Sequence, residues 1–306
     1  MTTRLGVLFP SFYPGSGEPP DPARLTAAAR AAEHAGFDGF WVPERVTGLL
    51  SDPLIALAHV AAVTGRIRLG TAVLTLPGRP PALLAKQLAS LDRLSGGRLA
   101  PALGLGRADP GEQQAFGVRR SERAALFDEA LPLIRAVWAR EPVTHRGPSW
   151  AYEGLAVQPK PGGEGPPLWV GGAADSELRR AGRLGDGWLG SSTTTPRAAE
   201  HARRTVESAA RAAGRTVADD AYGCVVPYRG RPGPLTPVQL AVLERMRAAG
   251  LVHDVDGFAP LVEALPARLR RLSDAGLTLF VLVPLSEPAD WEAEVGMLTE
   301  VVGVRV

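Results

Sequence analysis

The residues whose types and spacing suit chemistry fall at the ends of short apolar runs. Phe9-Pro10-Ser11 closes the first run, Glu44-Arg45 follows the second, and Thr71-Ala72-Val73-Leu74-Thr75 ends the third. Gly104-Leu105-Gly106-Arg107 closes a fourth, Gly171-Gly172 a fifth and Ser191-Ser192-Thr193 a sixth. Gly171-Gly172 opens into a helix-like stretch from Asp175, a geometry that turns backbone N–H groups toward a phosphate with the helix dipole in support. The competing reading of such a pair is a packing turn. The hydroxyls of Ser191, Ser192 and Thr193 add donors from the neighbouring unit and strengthen the phosphate reading. Self-sufficient catalytic motifs are missing from the sequence: it contains no G-x-x-x-x-G-K-[ST], no H-E-x-x-H and no G-x-S-x-G. Gly104-Leu105-Gly106 starts like a dinucleotide fingerprint, but its sixth position is Asp109. His34, His59, His145, His201 and His253 lie far apart and give no metal-ligand spacing, so no metal is expected. The chemistry is expected to rest on a bound cofactor.

A repeated unit must hold these positions: a helix, a closing glycine, a short link, then an apolar strand. Ala27 to Ala35 is closed by Gly36 and leads into Phe37–Val42. Leu54 to Thr64 is closed by Gly65 and leads into Ile67–Leu74, and Leu83 to Leu94 by Gly96-Gly97 before Leu99–Leu105. The pattern returns at Gly185-Asp186-Gly187 and at Gly276-Leu277. A left-handed glycine ends each helix in this reading. Asp21-Pro22, Asp52-Pro53 and Thr195-Pro196 pair an N-cap with proline at the first helical position. Helical spacing is plain in Leu84/Leu88/Leu91, Leu126/Ala130/Leu133/Val137 and Leu261/Leu265/Leu269/Leu272.

Strands are predicted at Leu5–Pro10, Phe37–Val42, Ile67–Leu74, Leu99–Leu105, Leu168–Gly171, Gly187–Ser191, Tyr222–Val226 and Leu277–Val283. Eight such strands alternating with helices predict a closed α/β barrel, (β/α)8, as one domain over residues 1–306. Residues just past each strand then converge at one mouth. Two stretches break the rhythm, 141–165 with Trp150 and Tyr152, and 229–260 with Pro232, Pro234 and Pro237. Both insertions are expected at the mouth, where Trp150 and Tyr152 would meet substrate or, in the alternative, anchor a lid to the barrel. Trp41 and Trp188 are expected to cap the barrel or pack under helices, and Asp38 and Asp186 to serve turns at the far end.

Composition excludes several classes. The 306 residues are 45% hydrophobic and 22% charged, with a net charge of +2. Mean hydropathy is +0.01, the balance of a globular chain with ample core. The longest apolar run, Leu277 to Leu285, falls well short of the roughly 20 residues that span a bilayer. No apolar signal region precedes the first strand, which leads to the expectation of a cytoplasmic protein with no membrane partner. Lys86 and Lys160 are the only lysines, and the arginines are scattered over helix faces without aromatic interleaving. A nucleic-acid partner is therefore not expected. Cys224, the single cysteine, reads as a small buried hydrophobe. The Ala, Arg, Gly and Pro bias indicates a high-GC genome.

Motifs in order along nearly the whole chain resemble the bacterial luciferase-like superfamily of flavin- and deazaflavin-dependent oxidoreductases. They are Ala32-Glu33-His34-Ala35-Gly36-Phe37-Asp38-Gly39-Phe40-Trp41-Val42, then Ile67 to Leu74 with Pro80, then Leu94-Ser95-Gly96-Gly97-Arg98-Leu99 and Gly104-Leu105-Gly106. Pro159-Lys160-Pro161, Pro167-Leu168-Trp169-Val170-Gly171-Gly172 and Gly185-Asp186-Gly187-Trp188 complete the set. The resemblance implies a TIM barrel holding FMN or coenzyme F420 at its C-terminal mouth. It places a ring against a third-strand bulge with a cis peptide near Ala72-Val73, and a phosphate near Gly171, Gly172, Ser192 and Thr193. Phe9, Thr71, Gly104, Gly106 and Ser191 join these as candidate cofactor contacts.

The departures concern catalysis. Many alcohol-dehydrogenating members carry an Asp-His pair where this chain has Glu44-Arg45, and an acid where it has Arg107. Arginine stays protonated near neutrality and is no general base. Arg45 and Arg107 suit an anionic substrate, or polarise a carbonyl or peroxide oxygen; the alternative is that they pair with Glu44 and Asp109 at the rim. Glu44, Arg45 and Arg107 are the candidate catalytic residues. The resulting expectation is F420-dependent reduction of a C=C, C=N or C=O bond of a small-molecule substrate. The alternatives are an FMNH2-dependent monooxygenase fed by a separate reductase, a non-catalytic flavin-binding protein, and a barrel binding a phosphorylated metabolite without flavin. The family resemblance also implies a homodimer through early barrel helices.

Overall fold

A computed structural model describes residues 3–9, 21–230, 235, 237–248, 252, 254–285 and 287–303. Pro10, Ser11, Pro232, Pro234 and His253 lie outside the described residues. The barrel strands are β1 (Arg4–Leu8), β2 (Gly39–Val42), β3 (Arg68–Thr75), β4 (Leu99–Gly104), β7 (Trp169–Gly171), β8 (Gly187–Gly190), β9 (Tyr222–Tyr228) and β10 (Leu279–Pro284). All pair in parallel and close in the order β1-β10-β9-β8-β7-β4-β3-β2. Helices α1 (Pro22–His34), α2 (Pro53–Val63), α3 (Pro81–Leu94), α4 (Pro110–Phe116), α5 (Arg123–Ala139), α6 (Asp175–Leu184) and α7 (Pro196–Ala212) follow their strands in turn. The expected (β/α)8 barrel is the observed architecture.

The helix starts form as their sequences dictate. Asp21 accepts from Ala23 N at 2.8 Å, Asp52 from Leu54 N at 2.9 Å, and Thr195 from Ala198 N at 3.2 Å. Two closing glycines behave differently from the expectation. Gly36 and Gly276 do take positive φ, whereas Gly65 and Gly185 do not. Glu33 replaces the left-handed cap at Gly65, accepting from the amides of Gly65, Arg66 and Ile67. Gly185 is required for space, since a Cβ there would lie 2.9 Å from Ala181 O and from a Val170 methyl.

The core has two layers. An outer layer between strands and helices buries Phe40, Leu57, Leu88, Phe127, Trp188 and Leu282. Inside the barrel, Leu8, Trp41, Ala102, Trp169, Leu189, Val225 and Val281 fill the lumen. Trp41 crosses that lumen rather than capping it. A Cβ on Gly6, Gly39 or Gly70 would lie 2.0 to 2.4 Å from the Trp41 indole. Asp38 and Asp186 line a cavity of about 210 Å3 at the opposite end from the mouth, as expected. There Asp38 accepts from Leu5 N, and Asp186 pairs with Arg135 and Arg215.

The two insertions part company. Residues 229–260 follow a strand and supply mouth elements α8 (Pro237–Ala248) and α9 (Val255–Phe258) before α10 (Leu265–Asp274). Residues 141–165 follow helix α5 instead, so they leave from the helix-to-strand side of the barrel. They form an antiparallel hairpin, β5 (Val143–Arg146) with β6 (Ala151–Leu155). Glu129 of α5 accepts from Ser149 N and Trp150 N, and Tyr152 OH accepts from Ala82 N of α3. Trp150 and Tyr152 therefore anchor the hairpin to the outer core, and the mouth placement expected for them is corrected. The chain ends in α11 (Trp291–Val302) packed on α1.

Candidate active site

The strand C-termini enclose a cavity of about 410 Å3, within the ordinary range of small-molecule sites, about 300–1,000 Å3. Its apolar floor includes Leu8, Leu189 and Val225, and Met246 of α8 joins the lining. One wall is the end of β3, where the register against β4 shifts between Ala72 and Leu74 and the Ala72–Val73 peptide is cis. Val73 projects between two bare strands: a Cβ on Gly104 or on Gly171 would sit 2.6 Å from one of its methyl groups. Glycine at both positions lets the bulge enter the cavity with no side chain facing it.

Glu44 lines the cavity but is fully engaged. Its Oε2 accepts from Thr75 N at 2.7 Å, and its Oε1 accepts from Arg79 Nη2. Burial pushes the Glu44 carboxyl above the usual range, and the Arg79 guanidinium and Thr75 amide only partly offset that. Arg79 also donates to Thr75 O at 2.9 Å and lies over the Phe116 ring. Glu44 thus pins the end of β3 beside the bulge.

Arg45 and Arg107 line the same cavity. The rim pairing with Glu44 and Asp109 does not occur. Glu44 is taken by Arg79, and Asp109 caps α4 by accepting from Glu112 N at 3.1 Å. Among the described residues neither guanidinium has an ion-pair partner, and Arg45 Nε is buried without a hydrogen bond. The loop carrying Arg45 is held by Glu112, which accepts from Thr47 N and Thr47 Oγ1. The loop carrying Arg107 is held by Arg123, whose Nη1 donates to Gly106 O and Arg107 O, both at 2.8 Å.

The hydroxyl cluster is present: Ser191 Oγ and Thr193 Oγ1 lie 2.9 Å apart, and Ser192 joins them on the cavity wall. The helix N-terminus behind Gly171-Gly172 already has an anion of its own. Glu177 Oε2 accepts from Ala173 N at 2.9 Å and Ala174 N at 3.0 Å. A phosphate on this side therefore falls to Ser192 and Thr193 rather than to the start of α6. Ala72, Gly106 and Gly172 also line the cavity. Phe9 and Thr71 do not. Phe9 stacks on Trp291 at 5.7 Å in the outer core, and Thr71 Oγ1 donates to Ala102 O at 2.7 Å inside the β3–β4 pair. Arg79, Arg123 and Glu112 escaped the sequence reading because folding of the barrel brings their partners near, and Glu177 because its bonds to the Ala173 and Ala174 amides arise in the local turn into α6.

The sequence model of luciferase-like monooxygenases matches residues 3–228. The chain belongs to this luciferase-like family. An uncharacterized protein of Mycobacterium tuberculosis is 36% identical over 200 residues, covering 56% of this chain and 67% of that one. An F420-dependent glucose-6-phosphate dehydrogenase of Kineococcus radiotolerans is 35% identical over 188 residues, 58% of this chain and 55% of that protein. That match spans about half the length of the relative. Among solved structures, the monooxygenase RslO1 from Streptomyces bottropensis superposes with a TM-score of 0.82 at 22% identity, covering 98% of both chains. An F420-dependent secondary alcohol dehydrogenase bound to an F420-acetone adduct gives 0.81 at 21%, covering 100% of both. At these identities the structures share the fold.

The residues of this luciferase-like barrel fit a flavin-type cofactor. The Val73 bulge and the bare Gly104 and Gly171 offer a flat shelf for a ring, and Ser192 and Thr193 offer donors for a phosphate. No cluster of metal-ligating side chains occurs among the described residues.

Proposed function

We propose that this luciferase-like chain uses coenzyme F420 to reduce a C=C, C=N or C=O bond of a small molecule. The carrying observation is the engagement of Glu44, the cavity-lining carboxylate that follows β2. With both oxygens bound to Arg79 and Thr75, it is not free to take a proton from an alcohol. Arg45 and Arg107 remain charged and cannot take one either. A site whose described lining presents cations, with its carboxylates already engaged by a guanidinium or by amides, favours delivery of hydride to an electrophile over its removal from an alcohol. F420-dependent relatives from two genera, 35% and 36% identical over 58% of this chain, support the choice of coenzyme.

Bound in its reduced form, the deazaflavin would supply a hydride and be oxidised, with the balancing proton taken from solvent. The chain's own residues do the rest in this reading. The Val73 shelf orients the ring, Ser192 and Thr193 hold the phosphate, and Arg45 and Arg107 fix the substrate and draw electron density from its double bond. Glu44 positions the end of β3. The second reading, an FMNH2-dependent monooxygenase served by a separate reductase, is favoured by the description of the matched family.

Paired anaerobic titration with deazaflavin and FMN, followed by fluorescence quenching, separates them. Tight deazaflavin binding with weak FMN binding is the expected result. The reverse preference sinks the F420 reading in favour of the monooxygenase, and binding of neither removes the oxidoreductase reading altogether.

A further inference from the structure

Among the described residues, four acids on the mouth loops and the helices that follow them are already committed. Glu44 is bound to Arg79, Asp109 caps α4, Glu112 holds Thr47, and Glu177 accepts from the amides of Ala173 and Ala174 just before α6. Two guanidiniums from different loops remain on the cavity wall, half-buried Arg45 and exposed Arg107, with no ion-pair partner among the described residues. Arg45 Nε is buried and unbonded. A buried guanidinium donor without an acceptor is costly to keep, and it finds a natural partner in an oxyanion. Both loops are also braced from behind, by Glu112 on Thr47 and by Arg123 on the Gly106 and Arg107 carbonyls, so the backbones that carry the two cations are held before any ligand arrives.

We infer that the substrate is an anion, a small molecule bearing a carboxylate or phosphate, gripped by Arg45 and Arg107 beside the bond to be reduced. This inference rests on the proposed reductase reading for the location of that bond, but the anion site itself stands without it. Planar forked donors on two sides favour an oxyanion over a neutral polar group.

The test compares the native chain with Arg45→Met, Arg107→Met and the double substitution. Isothermal titration calorimetry at low ionic strength uses crotonate, its neutral methyl ester and inorganic phosphate as probes. Deazaflavin is titrated into each protein separately. The native chain is expected to bind at least one anion and not the ester. Each single substitution is expected to weaken that anion about tenfold, and the double substitution to abolish its binding. Preference for crotonate or for phosphate distinguishes a carboxylate substrate from a phosphorylated one. Binding of neither anion, equal binding of the ester, or unchanged anion affinity in the double variant overturns the inference. So does a matching loss of deazaflavin affinity in the same variants, because the arginines then serve the cofactor. Failure of the native chain to bind deazaflavin counts against the reductase reading alone. Circular dichroism establishes that the variants fold. Should Arg45→Met not fold, the exposed Arg107→Met carries the test by itself.

Discussion

Glu44 has a side chain only 3% exposed, and its two oxygens face a guanidinium and an amide. Removing it strands Arg79 and the Thr75 amide. Glu44→Ala is therefore expected to cost about 3 kcal/mol in urea unfolding, the scale of a broken buried ion pair. Glu44→Gln keeps an acceptor for Thr75 and exposes the pH dependence. Because burial raises the folded carboxyl above its unfolded value, the neutral form is the one the fold favours. Its contribution is present below the ordinary carboxylate range and is lost as pH rises through the raised folded value. The native chain should accordingly lose stability relative to Glu44→Gln across that rise, and urea curves for both from pH 4 upward would show it. Cys224 makes a second case. Burial pushes its thiol up to about 12, so native protein at pH 8 should resist iodoacetamide and label only when unfolded, as mass spectrometry would record.

At the scale of elements, the β3 bulge is the most exacting device at the mouth. Gly104→Ala brings a methyl to 2.6 Å from Val73, and Gly171→Ala does the same from the other side. Each is expected to destabilise by about 1–3 kcal/mol, and Val73→Ala should recover part of that loss in a double-mutant cycle. Simple additivity would show that Val73 and the glycines do not press on one another. The sequence made the eight barrel strands legible because each is an apolar run bounded by glycine or a cap. It hid the β5–β6 hairpin, whose residues are mostly exposed and lack a clean alternation. Helix α4 was hidden too, being only seven residues long with Glu112, Gln113 and Gln114 at its centre, although its Asp109-Pro110 start repeats the cap seen elsewhere. The site residues at strand ends could be read from topology. Their braces could not, since Arg79, Arg123 and Glu177 look like ordinary surface charges until the loops they hold are folded.

At the scale of the whole molecule, the described surface carries exposed Val46, Leu49, Ile55 and Leu83 on the second and third units, with Ile55 70% and Leu83 54% exposed. We propose that Ile55 and Leu83, near the starts of the adjacent helices α2 and α3, join two copies of the chain. Ile55→Glu with Leu83→Glu is expected to convert a dimer to a monomer in sedimentation velocity, and a native chain that already sediments as a monomer would refute the proposal. Among the described residues no helix is long and apolar enough to cross a membrane.

The indole of Trp41, lying across three glycines and backed by Trp169 and Val281, stoppers the barrel. The mouth is then closed at its inner end. Two molecules that use it must queue, and the one seated deeper has to arrive first and depart last. For the proposed ring on the Val73 shelf and the proposed anion beside Arg45 and Arg107, the expected outcome is an ordered kinetic scheme, in which the outer occupant inhibits exchange of the inner one.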